Sequence, residues 1–125
     1  MASGEFLLST IQGPTLVEAN SEIAEHYGDG LHDLYVYREG SFVFLNGILK
    51  PTAAISGGTR VTLGTIPNGF RPKGNPGFMI SIPNIGSGWF EIGITTAGLI
   101  RFNAGGQTIP VGTKISFGNV FCAQF

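Results

Sequence analysis

From residue 34 to the end, apolar and polar residues alternate with a period of two, in short runs separated by glycine, proline and asparagine. In a strand successive side chains point to opposite faces, so alternation of this kind marks half-buried strands and excludes helical packing over the same residues. It predicts strands at about Leu34 to Arg38, Ser41 to Leu49, Arg60 to Ile66, Phe78 to Pro83, Trp89 to Thr95, Leu99 to Asn103 and Lys114 to Gln124. Turn signals stand between them, among them Glu39-Gly40, Ser56-Gly57-Gly58, Pro67-Asn68-Gly69, Gly74-Asn75-Pro76-Gly77, Gly86-Ser87-Gly88, Ala97-Gly98 and Gly105-Gly106. Short strands with frequent turns predict an all-β domain, a small antiparallel β-barrel or sandwich. In the Trp89 run, Phe90, Ile92 and Ile94 form the core face, while Trp89, Glu91, Gly93 and Thr95 point away from it. The hairpin Glu91–Thr95, Thr96-Ala97-Gly98, Leu99–Asn103 is the sharpest local feature.

The first part of the chain reads differently. Residues 1–33 are expected to be a lead-in, a remnant of a stalk or neck, with 34–125 as the β head. Met1-Ala2-Ser3-Gly4-Glu5-Phe6 lacks the positive n-region of a secretory signal and reads as a cloning scar. The stretch Thr15 to Tyr27, with Leu16, Val17, Ile23 and Ala24 as its apolar residues, fits either a short helix or an extended lead-in. Gly28-Asp29-Gly30 ends it.

Composition narrows the function. The 125 residues include twenty glycines and only 12% charged residues, against roughly 25% in an average soluble domain. Such a surface relies on neutral polar groups or is partly covered in an assembly. Acids crowd the first third (Glu5, Glu18, Glu22, Glu25, Asp29, Asp33 and Glu39, against Arg38). Bases follow from Gly40 on (Lys50, Arg60, Arg71, Lys73, Arg101 and Lys114, against Glu91). The bases form no run, which argues against nucleic acid as a partner, and no apolar stretch of about twenty residues offers a membrane span. Cys122 is the single cysteine, so neither an intramolecular disulfide nor a multi-cysteine zinc site can form. Its neighbours Phe121 and Phe125 predict a buried thiol in a terminal strand.

Catalytic patterns are thin. A glycosidase needs two positioned carboxyl groups, and beyond Glu39 there is only Glu91; a site built from Asp29, Asp33 or Glu39 across subunits is the remaining route. No serine lies in a G-x-S-x-G setting, and Gly57-Gly58 and Gly105-Gly106 lack the context of a phosphate loop. The cluster Glu25-His26-Tyr27-Gly28-Asp29-Gly30-Leu31-His32-Asp33 follows no fixed metal-ligand order and reads as a solvated turn; no cofactor or metal is expected. Binding remains. A saccharide site pairs an aromatic ring with a few hydrogen-bonding groups. The only tryptophan, Trp89, and the only late acid, Glu91, share an outward face, and Arg101 and Asn103 share one face of the partner strand. These four are the candidate ligand-binding residues. The competing assignment makes Trp89 a plug in a subunit interface and Glu91–Arg101 a structural ion pair.

Three pieces carry a family resemblance. Tyr37-Arg38-Glu39-Gly40-Ser41-Phe42-Val43-Phe44-Leu45-Asn46-Gly47 resembles a Y-R-x-x-G-x-V-x-L-x-G strand pair. Leu63-Gly64-Thr65-Ile66-Pro67-Asn68-Gly69-Phe70-Arg71-Pro72 resembles an L-x-x-[LI]-P-x-x-[FY]-x-P turn, in which Phe70 is expected to fold back onto the core. The I-T-T-A-G-L-I hairpin resembles an I-x-x-x-G-x-[IV] element. From about Val36 onward the chain thus looks like the C-terminal head domains of phage receptor-binding proteins and tail fibres, notably of phages of lactococci and related Gram-positive bacteria. That resemblance implies a homotrimeric β-barrel head on the virion tail tip, outside the cell, that recognises a host cell-wall saccharide without catalysis and contacts other tail or baseplate proteins. Val120 and Phe125 are candidates for the threefold contact. In some similar heads the strand before the last hairpin carries a His and an Asp, with an aromatic on the partner strand. The comparable positions here are Glu91, Gly93 and Asn103, a departure at the site itself. A structural tail module without ligand and a tail-associated polysaccharide hydrolase are the alternatives.

Overall fold

The computed structural model describes residues 11–83, 85, 86 and 88–124. Among them there is no helix, hence none long and apolar enough to cross a membrane. Ten strands form two antiparallel sheets stacked as a sandwich, with no closed barrel. They are β1 (Ile11–Leu16), β2 (Glu18–Ala19), β3 (Ala24–His26), β4 (Tyr35–Glu39), β5 (Phe42–Pro51), β6 (Arg60–Thr65), β7 (Gly77–Ser81), β8 (Trp89–Ile94), β9 (Leu99–Asn103) and β10 (Ile115–Cys122). Sheet A runs β1-β4-β5-β10, with β3 also paired to β5; sheet B runs β2-β6-β9-β8-β7.

Every strand from β4 onward falls within two residues of its expected bounds, because each buries alternate apolar residues between the sheets. Val36, Val43, Leu45, Leu49, Ile115, Phe117 and Phe121 come from sheet A; Leu63, Ile80, Phe90, Ile92, Ile94, Ile100 and Phe102 come from sheet B, and all are buried. No polar or charged residue among those described is buried. Phe90 and Phe102 stack across β8 and β9 at 5.7 Å. Phe70 is buried as expected, and Arg38 ties the turn that carries it to the rest: its guanidinium donates to the carbonyls of Gly40 at 2.7 Å, Gly69 at 2.9 Å and Gln124 at 3.1 Å.

Of the two readings of residues 15–27, the extended one is seen, interrupted by a turn at 21–23, and residues 11–33 supply strands to both sheets: β1 pairs with β4 and β3 with β5 in sheet A, while β2 pairs with β6 in sheet B. Asn20 makes the turn between β2 and β3. Its carbonyl accepts from the N–H groups of Ile23 and Ala24, and its amide donates to the Thr62 carbonyl at 2.8 Å. Val17, in the link between β1 and β2, and Ala24, in β3, therefore enter the core from separate segments, not from one helical face. His26 clamps the passage. Its Nε2 donates to the Val17 carbonyl at 2.7 Å, and its Nδ1 accepts from the Leu34 N–H at 3.1 Å. Residues 1–10 and Phe125, which carry the proposed scar and one proposed threefold contact, lie outside the described residues.

Cys122 corrects the expectation of a buried thiol: the thiol is exposed. In β10 Ile115, Phe117 and Phe121 face inward, as does Ala123 just beyond its end, so the residue between the last two must face out.

Candidate functional site

The outer face of sheet B is built by the same alternation that fills the core. Paired rows cross it: Arg60 opposite Asn103, Asn103 opposite Glu91, and Glu91 opposite Met79. The next row sets Thr62 opposite Arg101, Arg101 opposite Gly93, and Gly93 opposite Gly77. Trp89 stands one row to the other side, opposite Ser81, and is 59% exposed. All four candidate residues thus share one face.

They line two adjoining hollows. Trp89, Glu91 and Asn103 border one of about 270 Å³, closed by Met79, the Ala104–Gly106 turn and Gln107. Arg101 borders the other, of about 330 Å³, together with Arg60, Asn75, Thr95 and Glu91. Glu91 is the wall between them. Gly77 and Gly93 carry no side chains opposite Arg101, and this opens the trough in which the second hollow lies.

The charges are arranged otherwise than the alternative of a Glu91–Arg101 pair supposes. Glu91 meets Arg60, 3.9 Å away, with both side chains more than half exposed. At such exposure the pair is worth ~1 kcal/mol or less, so both groups stay available to a ligand. The Nε of Arg101 is buried and has no hydrogen-bond partner among the described residues. Asn103 accepts from the Gly105 N–H with its side-chain oxygen at 2.9 Å, which leaves its amide NH2 to donate. The face can therefore stack an apolar ring surface on Trp89, donate from Asn103 and two guanidinium groups, and accept at Glu91.

Arg60 is the residue that sequence reasoning passed over. β6 and β9 are far apart in sequence, and only the assembled sheet order brings Arg60 beside Asn103. The reading also missed a hollow of about 590 Å³ on the outer face of sheet A, where Tyr35, Tyr37, Asn46 and Ser116 meet the loop before β4. The signal was present: Tyr35 and Tyr37 alternate with the core residue Val36.

The loop before β4 organises itself. Asp29 accepts from the N–H groups of Leu31 at 2.9 Å and His32 at 2.7 Å and pairs with the His32 ring. Those bonds, the His32 side-chain contact foremost, lower the Asp29 carboxyl from 3.8 to about 2. Asp33 accepts from the Gly28 N–H at 2.7 Å. With these acids turned to local partners, the described residues hold no group of three or more His, Cys, Asp or Glu side chains arranged to bind a metal ion. Neither a protein-family model nor a curated protein matches this sequence.

Proposed function

We propose that this domain is a non-enzymatic saccharide-binding head, the receptor-binding part of a phage tail tip, which adsorbs to a host cell wall as a homotrimer. One observation carries the binding reading: the exposed ring of Trp89, the acid Glu91, the amide of Asn103 and the guanidinium of Arg101 line adjoining hollows on one rigid face. A ring over the C–H face of a sugar, with charged and amide groups for its hydroxyls, is the chemistry such recognition needs. Two arginines beside one acid favour a sugar that bears phosphate over a neutral one. Glu91 is the single acid on β6, β7, β8 and β9, and one carboxylate held by Arg60 does not make the two-carboxyl arrangement of glycoside hydrolysis.

The trimer draws its support from sheet A. Ile11, Phe42 and Val120, each about half exposed, lie with Phe44 in adjacent rows of its outer face, beside the hollow and not among its lining residues. An exposed apolar patch of this kind suits subunit contact.

Trp89→Ala and Arg101→Ala, compared with the parent on a bacterial glycan array and in adsorption to host cells, test the proposal. Trp89→Ala is expected to weaken binding about thirtyfold, ~2 kcal/mol, as loss of a central aromatic anchor does. If both variants bind as the parent does, the site is wrong; reducing ends released from cell wall would replace binding by hydrolysis. Sedimentation as a monomer at micromolar concentration refutes the trimer.

A further inference from the structure

We infer that the hollow on the outer face of sheet A is a second saccharide site, selective for a neutral sugar ring. This rests on the saccharide-binding reading but not on the Trp89 face. Its volume of about 590 Å³ lies within the ~300–1,000 Å³ typical of ligand pockets. Tyr35 and Tyr37 alternate around Val36 and so stand on one face of β4, where both line the hollow. Asn46, directly opposite Tyr35, and Ser116 on β10 supply donors and acceptors beside it, and Asp33 adds an acceptor at the rim.

Three features select the ligand. The floor strands β4 and β5 are paired with each other there, Tyr35 with Asn46, and β5 with β10, Asn46 with Gly118, so the backbone of the floor is not open for a peptide to add as a strand. Above it side chains do the recognising, and tyrosine rings with hydroxyl and amide partners suit a compact sugar ring. The lining includes the carboxylate of Asp33 and no lysine or arginine, which disfavours an anion, in contrast to the arginines of sheet B. The two tyrosines stand abreast on one strand and do not surround the hollow from several sides, as the aromatic cage that holds an ammonium group does.

The wall is preformed, which lowers the ordering cost of binding. Besides the Asp29 bonds, the Tyr35 hydroxyl donates to the Gly30 carbonyl at 3.1 Å, and the Ile48 N–H donates to the His32 carbonyl at 2.8 Å. A domain with one site on each sheet would grip a polysaccharide at two places, which raises avidity without tighter single sites.

The test titrates N-acetylglucosamine, glucose, galactose, rhamnose, choline and indole separately into the 15N-labelled protein, with glucose 1-phosphate as the probe of the Trp89 face. At least one of the sugars is expected to shift the amides of Tyr35, Asn46 and Ser116 saturably. Asn46→Ala, at an exposed position where folding is not at stake, is expected to weaken that response about tenfold, and Trp89→Ala to leave it unchanged. Shifts confined to Glu91 and Asn103 overturn this inference and leave the first site standing. Shifts in the sheet A hollow with none at the Trp89 face keep the inference and remove the first site. Silence at both faces removes both. A response to choline or indole and to no sugar overturns the ligand class.

Discussion

Replacing His26 with alanine removes the clamp that holds three segments together, and its cost can be worked from the bonds. The ring donates to the Val17 carbonyl and accepts from the Leu34 N–H, and both partners belong to fully buried residues. A buried group that loses its partner costs ~1–3 kcal/mol. Since His26 is half-buried and water can enter in its place, the lower half of that range applies, or about 3 kcal/mol for the two together. Against a total stability of roughly 5–15 kcal/mol, the variant still folds, weakly. At an m-value of about 1.5 kcal/mol/M the urea midpoint falls by about 2 M, and the melting temperature drops by roughly 12 °C. His26→Gln retains one donor and one acceptor and is expected to recover about half of the loss. Equilibrium urea unfolding followed by Trp89 fluorescence measures all three proteins. An alanine variant within about 0.5 kcal/mol of the parent, the range of an ordinary surface change, refutes the clamp.

Three further outcomes are expected. Because the Asp29 carboxyl is depressed in the folded state, its contribution to loop order is complete above pH 3.8 and is lost as pH falls toward about 2; carboxyl 13C titration is expected to show that midpoint, and His32→Ala to move it back up. Gly47→Ala is expected to cost about 3 kcal/mol or more in thermal unfolding, since Gly47 has φ of 136° and a Cβ there would come within 2.6 Å of the Leu34 Cα; a melting point equal to the parent's refutes it. Cys122 is expected to react with a thiol reagent such as DTNB in the folded domain once the proposed subunit contact at its cross-strand partner Phe42 is opened, and a thiol that reacts only after unfolding contradicts its exposure.

The strands from β4 onward were legible because period two is a local property: Phe90, Ile92 and Ile94 announce their face without knowledge of any partner. The common face of the candidate residues was legible for the same reason, since Trp89 and Glu91 share a face by parity alone, and the tight Thr96-Ala97-Gly98 turn sets Asn103 opposite Glu91. What parity cannot show is which distant strands pair. Arg60 reaches Glu91 only through the placement of β6 beside β9, so an expected Glu91–Arg101 pair became Glu91–Arg60. The early strands were hidden for another reason. β2 and β3 are two and three residues long, too short to display a period, and the turn at Asn20 brings Val17 and Ala24 inward at a spacing that also suits a helix. For Cys122, neighbouring phenylalanines outweighed the parity of Phe117 and Phe121, which places it outside.

The passage of residues 17–26 from one sheet to the other decides how the molecule can be cut and joined. A shortened version that starts at Leu34 loses no ornament. It strips β1 from β4, β3 from β5 and β2 from β6, and bares the peptide groups of three ladders along which chains can cross-pair and precipitate. A fusion of this domain to another protein must therefore place its junction before Ile11 and carry the whole crossing segment with the rest of the fold.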